Sequence, residues 1–132
     1  MKNFTQWLFN EAFYIDSVGK IDVKQVPPDE HSYFKDRYNL ILKYSSGGVD
    51  QQIGEIRQIK GYRDYKPAGR RYVTSRKEIL QWTGWLTHAD GKAVDKQKYG
   101  RTAIYPFRSK KEAIEKIADF YVQAIQNEDR EP

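Results

Sequence analysis

The sequence predicts an α+β fold, in which a small, mainly antiparallel sheet is joined by an N-terminal helix and a long C-terminal amphipathic helix. Three patterns predict it: helical apolar spacing over 110–126, the strand-like run Tyr38–Tyr44 (YNLILKY), and the tight-turn dipeptide Asp90-Gly91 between two further strand-like runs. The 132 residues fit one domain, assigned to 1–126, with 127–132 as a flexible polar tail.

The elements follow in order. Phe4, Trp7, Leu8 and Ala12 recur at helical intervals, with Asn3 or Thr5 as a cap, so a first helix is expected over 4–14. Val18, Ile21 and Val23 predict a short strand, and Pro27-Pro28 stops it because neither residue donates to a ladder. The run 38–44 is the clearest strand, and Ser45-Ser46-Gly47-Gly48 closes it as a turn able to open a hairpin. Over 49–60 helix and irregular strand stand equal, since Val49, Ile53, Ile56 and Lys60 fall at helical intervals while Gly54 weakens a helix. Residues 60–71 (KGYRDYKPAGRR) have a loop composition. Strand is expected again over 72–74 and 79–87, with Leu80, Trp82 and Leu86 on one face, although Ser75 and Glu78 offer a rival capping box. Tyr99–Phe107 supplies a returning strand, making 79–107 a hairpin with a lysine-rich tip. Ser109 and Glu112 then form a capping box, and Ala113, Ile114, Ile117, Ala118, Tyr121, Ala124 and Ile125 line one face of a helix over 110–126.

Composition narrows the chemistry. With 31% charged residues and no long apolar run, a transmembrane helix and membrane partners are not expected. The start MKNFTQWLFNEAFYID lacks the uninterrupted apolar core of a secretory signal. Zero cysteine removes disulfides, thiolate metal sites and a thiol nucleophile, and it fits a cytoplasmic location. Of the two histidines, His31 and His88, neither sits in a catalytic spacing, and Asp29, Glu30 and His31 are three adjacent loop residues without further ligands. No phosphate-cradling glycine motif is present. The expectation is therefore no enzyme, no catalytic residues, no metal and no cofactor.

The net charge of +5 is unevenly placed. Residues 60–77 carry seven basic groups and one acidic group, and residues 92–111 carry the same, whereas 112–132 carry two and six. The first segment sets Lys60, Arg63, Lys66, Arg70, Arg71, Arg76 and Lys77 among Tyr62, Tyr65 and Tyr72. Cations neutralise phosphates, arginine forks meet them in bidentate fashion, and tyrosine rings stack on bases. The second segment adds Lys96, Lys98 and Arg101 beside Tyr99 and Tyr105. A solvated loop, or a lysine-rich tip guarding a strand edge, would use the same residues. In Trp82-Thr83-Gly84-Trp85 the indoles alternate across a strand, so one is expected to be buried, leaving Trp85 as a possible aromatic anchor. The acids Glu112, Glu115 and Asp119 should occupy the exposed face of the last helix, away from any polyanion.

The run Trp82, Gly84-Trp85, Ala89-Asp90, Phe107 and Ser109-Lys110-Lys111-Glu112-Ala113-Ile114 resembles the end of a small accessory-subunit family of respiratory complex I. The resemblance covers a minor share of the chain, with a longer insertion between Asp90 and Phe107. It implies only a strand-turn-strand-helix order over 79–126. The function expected from the residues themselves is non-enzymatic binding of DNA or RNA by the two basic segments joined as one groove. The alternative is a small protein-interaction module engaging an acidic partner surface, such as an inhibitor or adaptor, for instance a phage- or plasmid-type antagonist of a host nuclease complex.

Overall fold

A computed structural model describes residues 12–27, 36–65, 68–69, 72 and 75–128, with the side chains of 63–65 outside the description. Eight strands are present in it: β1 (Phe13–Ile15), β2 (Gly19–Gln25), β3 (Arg37–Tyr44), β4 (Gln51–Tyr65), β5 (Ser75–Leu86), β6 (His88–Ala89), β7 (Lys92–Ala93) and β8 (Gly100–Arg101). One helix, α1 (Lys110–Gln126), follows them.

Six strands form a single antiparallel sheet in the order β1-β2-β3-β4-β5-β8, curled into a half-barrel, and β6-β7 make a separate small hairpin. This corrects the expected fold class, because the sheet dominates and the described residues contain one helix. The helix expected over 4–14 fails at its end: Phe13 and Tyr14 are extended and pair with Ile21 and Lys20. Burial alternates along β1, with Tyr14 exposed and Ile15 buried, as a strand requires. The remainder of that expected helix, through residue 11, lies outside the described residues.

The segment 49–60 is strand from Gln51, and a bulge explains its helix-like spacing. Leu40 pairs with Gly54 while Ile41 pairs with Gln52, so Ile53 is an extra residue in β4. Ile53, Gly54 and Ile56 are consequently all buried, and the three-residue step from 53 to 56 imitates one helical interval. The strand then continues through Lys60–Tyr65, which composition assigns to a loop, because β5 pairs with it as far as Tyr65↔Ser75. The long hairpin of the molecule is thus β4–β5 rather than 79–107. The chain after β5 returns only briefly, through Trp85↔Gly100, Gly84↔Arg101 and a bridge from Trp82 to Phe107. Asp90 and Gly91 both have positive φ, 54° and 77°, the backbone of a primed two-residue turn between β6 and β7.

The expected bounds of the last helix hold. Ser109 Oγ accepts from the Glu112 N–H at 3.0 Å, and the Glu112 carboxylate accepts from the Arg108 N–H at 3.2 Å. Ala113, Ile114, Ile117, Tyr121 and Ala124 are buried, and the helix lies across β1, β4, β5 and β6 on the concave side. Gly54 lets it approach closely, since a Cβ there would meet Ile117 Cγ2 at 3.0 Å and the Trp85 carbonyl at 2.8 Å. Ile21, Leu40, Leu42, Ile53, Ile56, Leu86 and Phe107 complete the core between sheet and helix. Among the described residues no helix is long and apolar enough to cross a membrane.

Candidate nucleic-acid interface

Beyond Gln58 and Trp82 the sheet narrows to two strands. Pairing of β3 with β4 ends at Arg37↔Arg57, with one further bond from the Gln58 N–H to the Asp36 carbonyl at 2.8 Å. On the other side the Trp82–Phe107 bridge is the last backbone pairing of β5 with a third segment among the described residues. From Ile59↔Gln81 to Tyr65↔Ser75 the described residues place no third strand on either edge. These seven register pairs make a ribbon roughly 20 Å long at about 3.4 Å per residue.

Half of the first basic segment, residues 60–65 and 75–77, belongs to this ribbon. Lys60, Arg76 and Lys77 are exposed, and Tyr62 keeps 62% of its surface in solvent. Lys60 reaches Glu78 at 3.8 Å in an exposed ion pair, so its charge remains screened and available to an incoming anion. Arg63 and Tyr65 are in the β4 backbone, with side chains outside the description, while Lys66, Arg70 and Arg71 lie outside the described residues. Register places Lys60 opposite Leu80 and Tyr62 opposite Glu78 on one face, continuous with the concave side. Leu80, grouped with the buried Trp82 and Leu86 in the sequence analysis, is 56% exposed because β5 has run past the helix that covers the core. Its polar neighbours Arg76, Lys77 and Glu78 were the available signal.

The second basic segment sits elsewhere and behaves differently. Arg101 faces Gly84 in the register, eight residues along β5 from Arg76, a separation of roughly 27 Å. The two segments therefore lie toward opposite ends of β5. Lys96 Nζ stands 5.9 Å from the Trp85 ring centre, Lys98 Nζ 5.7 Å from Tyr99, and Arg101 Cζ 5.1 Å from Phe107. Arg101 also pairs with Glu112 at 3.9 Å. Lys110 Nζ lies 3.8 Å from the Tyr38 ring centre; burial lowers its ammonium below the ordinary range, opposed by Asp36. Burial, and then the Asp36 charge, raises the Tyr38 phenol. These cations are turned onto the protein's own rings and carboxylates.

Trp85 is half-buried rather than free-standing. Arg57 covers it at 4.7 Å, and its Nε1 is buried with no hydrogen-bond partner among the described residues. Its partner indole, Trp82, is 7% exposed, packed beside Tyr38 with ring centres 5.9 Å apart. Arg57, unremarked in the sequence analysis, stands opposite Arg37 across β3 and β4, and a cleft of about 190 Å³ opens beside the two guanidiniums and Glu55. A larger depression, about 360 Å³, lies at the β1–β2 turn around Asp16, Lys20 and Lys43.

His88 Nδ1 is 3.0 Å from Thr87 Oγ1, and Asp29, Glu30 and His31 lie outside the described residues. Among the described residues no three His, Asp or Glu side chains gather as metal ligands. No known protein family matches the chain, nor does any curated protein or solved structure. The resemblance of the Trp82–Ile114 run to a complex I accessory family accordingly finds no family-level match.

Proposed function

We propose that the chain is a non-enzymatic nucleic-acid-binding protein acting in the cytoplasm, with the β4–β5 ribbon as its principal contact surface. The observation that carries this reading is the concentration of charge on a protruding element. By sequence, residues 59–81 contain seven basic and two acidic groups. Of these, Lys60, Arg76 and Lys77 are exposed on strands that run beyond the third-strand pairing, with no strand on either edge among the described residues. Cations spaced along an exposed ribbon displace counterions from a phosphate backbone, which supplies affinity without sequence readout. Exposed Tyr62 adds a ring for contact with bases. Helix α1 starts beside the ribbon root at Phe107 and runs toward Asp90, carrying Glu115 and Asp119 away from the ribbon.

The test is fluorescence anisotropy with labelled DNA and RNA across a salt series. Binding that weakens steeply with salt, and is abolished when Lys60, Arg76 and Lys77 are all replaced by Glu, is the expected result. Survival of binding in that triple variant would sink the basic-ribbon assignment.

A second reading has its own support. Among the described residues no strand pairs with either edge of the ribbon beside exposed Leu80, which suits addition of a strand from an acidic protein partner, in the manner of an inhibitor or adaptor. Such a complex would show a shallow salt slope and would leave free nucleic acid unbound.

A further inference from the structure

We propose that the β4–β5 ribbon enters the major groove of duplex DNA, a reading that rests on the nucleic-acid function proposed above. Paired strands lie about 4.8 Å apart, and the B-form major groove, about 12 Å wide, admits a two-stranded ribbon with its side chains. A third strand would exceed that width, and from Ile59↔Gln81 outward the described residues place none on either edge. Two-stranded ribbons carry the strongest right-handed twist in β structure, so the arm can follow the right-handed groove along its length.

The faces of the ribbon are unequal. Lys60, Tyr62 and Leu80 share one face with Glu78, and all four are exposed. On the other face Ile59, Ile79 and Gln81 are half-buried, and the Gln81 carboxamide lies over Gly61. The first face is therefore the one free to meet base edges. Leu80 can contact thymine methyls, Lys60 guanine acceptors and Glu78 the cytosine amino group, while Lys77 on the opposite face sits nearer the phosphates.

A single strand is the less suitable occupant. It needs a row of aromatic platforms, whereas Trp85, Tyr38, Tyr99 and Phe107 each hold one of the protein's own cations over the ring, and the exposed face formed by Lys60, Tyr62, Glu78 and Leu80 presents a single ring, Tyr62. Duplex RNA is excluded by shape, because its A-form major groove is too deep and narrow for side chains to read.

The experiment uses the full chain with three labelled probes of one sequence: duplex DNA, single-stranded DNA and duplex RNA. Duplex DNA should bind about tenfold tighter than either other probe. Guanine N7, in the major groove, should be protected from dimethyl sulfate, while adenine N3, in the minor groove, should stay reactive. Tyr62→Ala combined with Leu80→Ser should weaken duplex binding with an unchanged thermal midpoint, since both side chains are exposed. Equal affinity for the three probes, or protection confined to adenine N3, would overturn the groove assignment and leave nucleic-acid binding standing. Failure to bind any probe at low salt would overturn both.

Discussion

Trp82 and Phe107 exchange both backbone hydrogen bonds, Trp82 N–H to the Phe107 carbonyl at 3.0 Å and Phe107 N–H to the Trp82 carbonyl at 2.8 Å. Among the described residues this one bridge ends the third-strand cover of β5, so it defines the root of the ribbon. Two residues later Ser109 caps α1, so the same bridge fixes where the helix enters the concave face. Phe107 is fully buried there, with the Arg101 guanidinium over its ring.

Phe107→Ala should therefore cost about 3–5 kcal/mol, the range for emptying a buried aromatic site. Urea unfolding should show a much lower midpoint with a similar slope. A loss below about 1 kcal/mol would mean that the ring is not part of the core.

Gly54 is the close-approach point between sheet and helix. Its Cβ would press on a β5 carbonyl, which cannot yield, and on Ile117 Cγ2. Gly54→Ala should destabilise by about 1–3 kcal/mol despite alanine's smaller backbone entropy cost. Replacing Ile117 with Leu, which has no Cγ2, in the same chain should recover part of that loss, and strict additivity of the two changes would show that they do not touch.

Legibility in the sequence followed the locality of the signal. The helix over 110–126 was readable because its cap and its stripe lie within the helix itself, and the Asp90-Gly91 turn because two residues determine it. The extent of β4 was not readable, because its identity as a strand depends on a partner twenty or so residues away. The bulge at Ile53 moved the apolar phase onto a helical interval, and the charges of Lys60–Tyr65 disguised strand as loop. Charge position was visible, but charge use was not. Nothing local distinguishes Lys77, exposed on the ribbon, from Lys110, laid over Tyr38 by a contact between distant segments.

Ser109→Ala tests the local part of that reading. It removes the acceptor for the Glu112 N–H while leaving the helical face intact, so stability should fall by about 1 kcal/mol. Ser109→Asp should keep most of it, and equal losses in the two variants would show that the cap contributes through something other than its acceptor oxygen.

Tyr121 gives a pH dependence with a definite sign. Its side chain is buried, its hydroxyl is hydrogen-bonded to Tyr44, and the Asp90 backbone also bonds to it. Burial first, and the Tyr44 bond second, hold the phenol well above its ordinary value. A group that binds its proton more tightly in the folded chain contributes stability that is complete below the unfolded pKa, about 10, and is lost as pH rises above it. Unfolding free energy should fall above about pH 10 with a slope of up to about 1.4 kcal/mol per pH unit from this group. Tyr121→Phe should cost about 0.5–1.5 kcal/mol at neutral pH through its lost hydrogen bonds, yet flatten the alkaline fall. Tyr105→Phe, at a position 76% exposed, is the control and should leave both quantities unchanged. If the alkaline slope were the same in Tyr121→Phe as in the parent chain, the phenol would not be the group that links stability to pH, and the contact joining α1 to β3 and to the β6–β7 turn would be no more than packing.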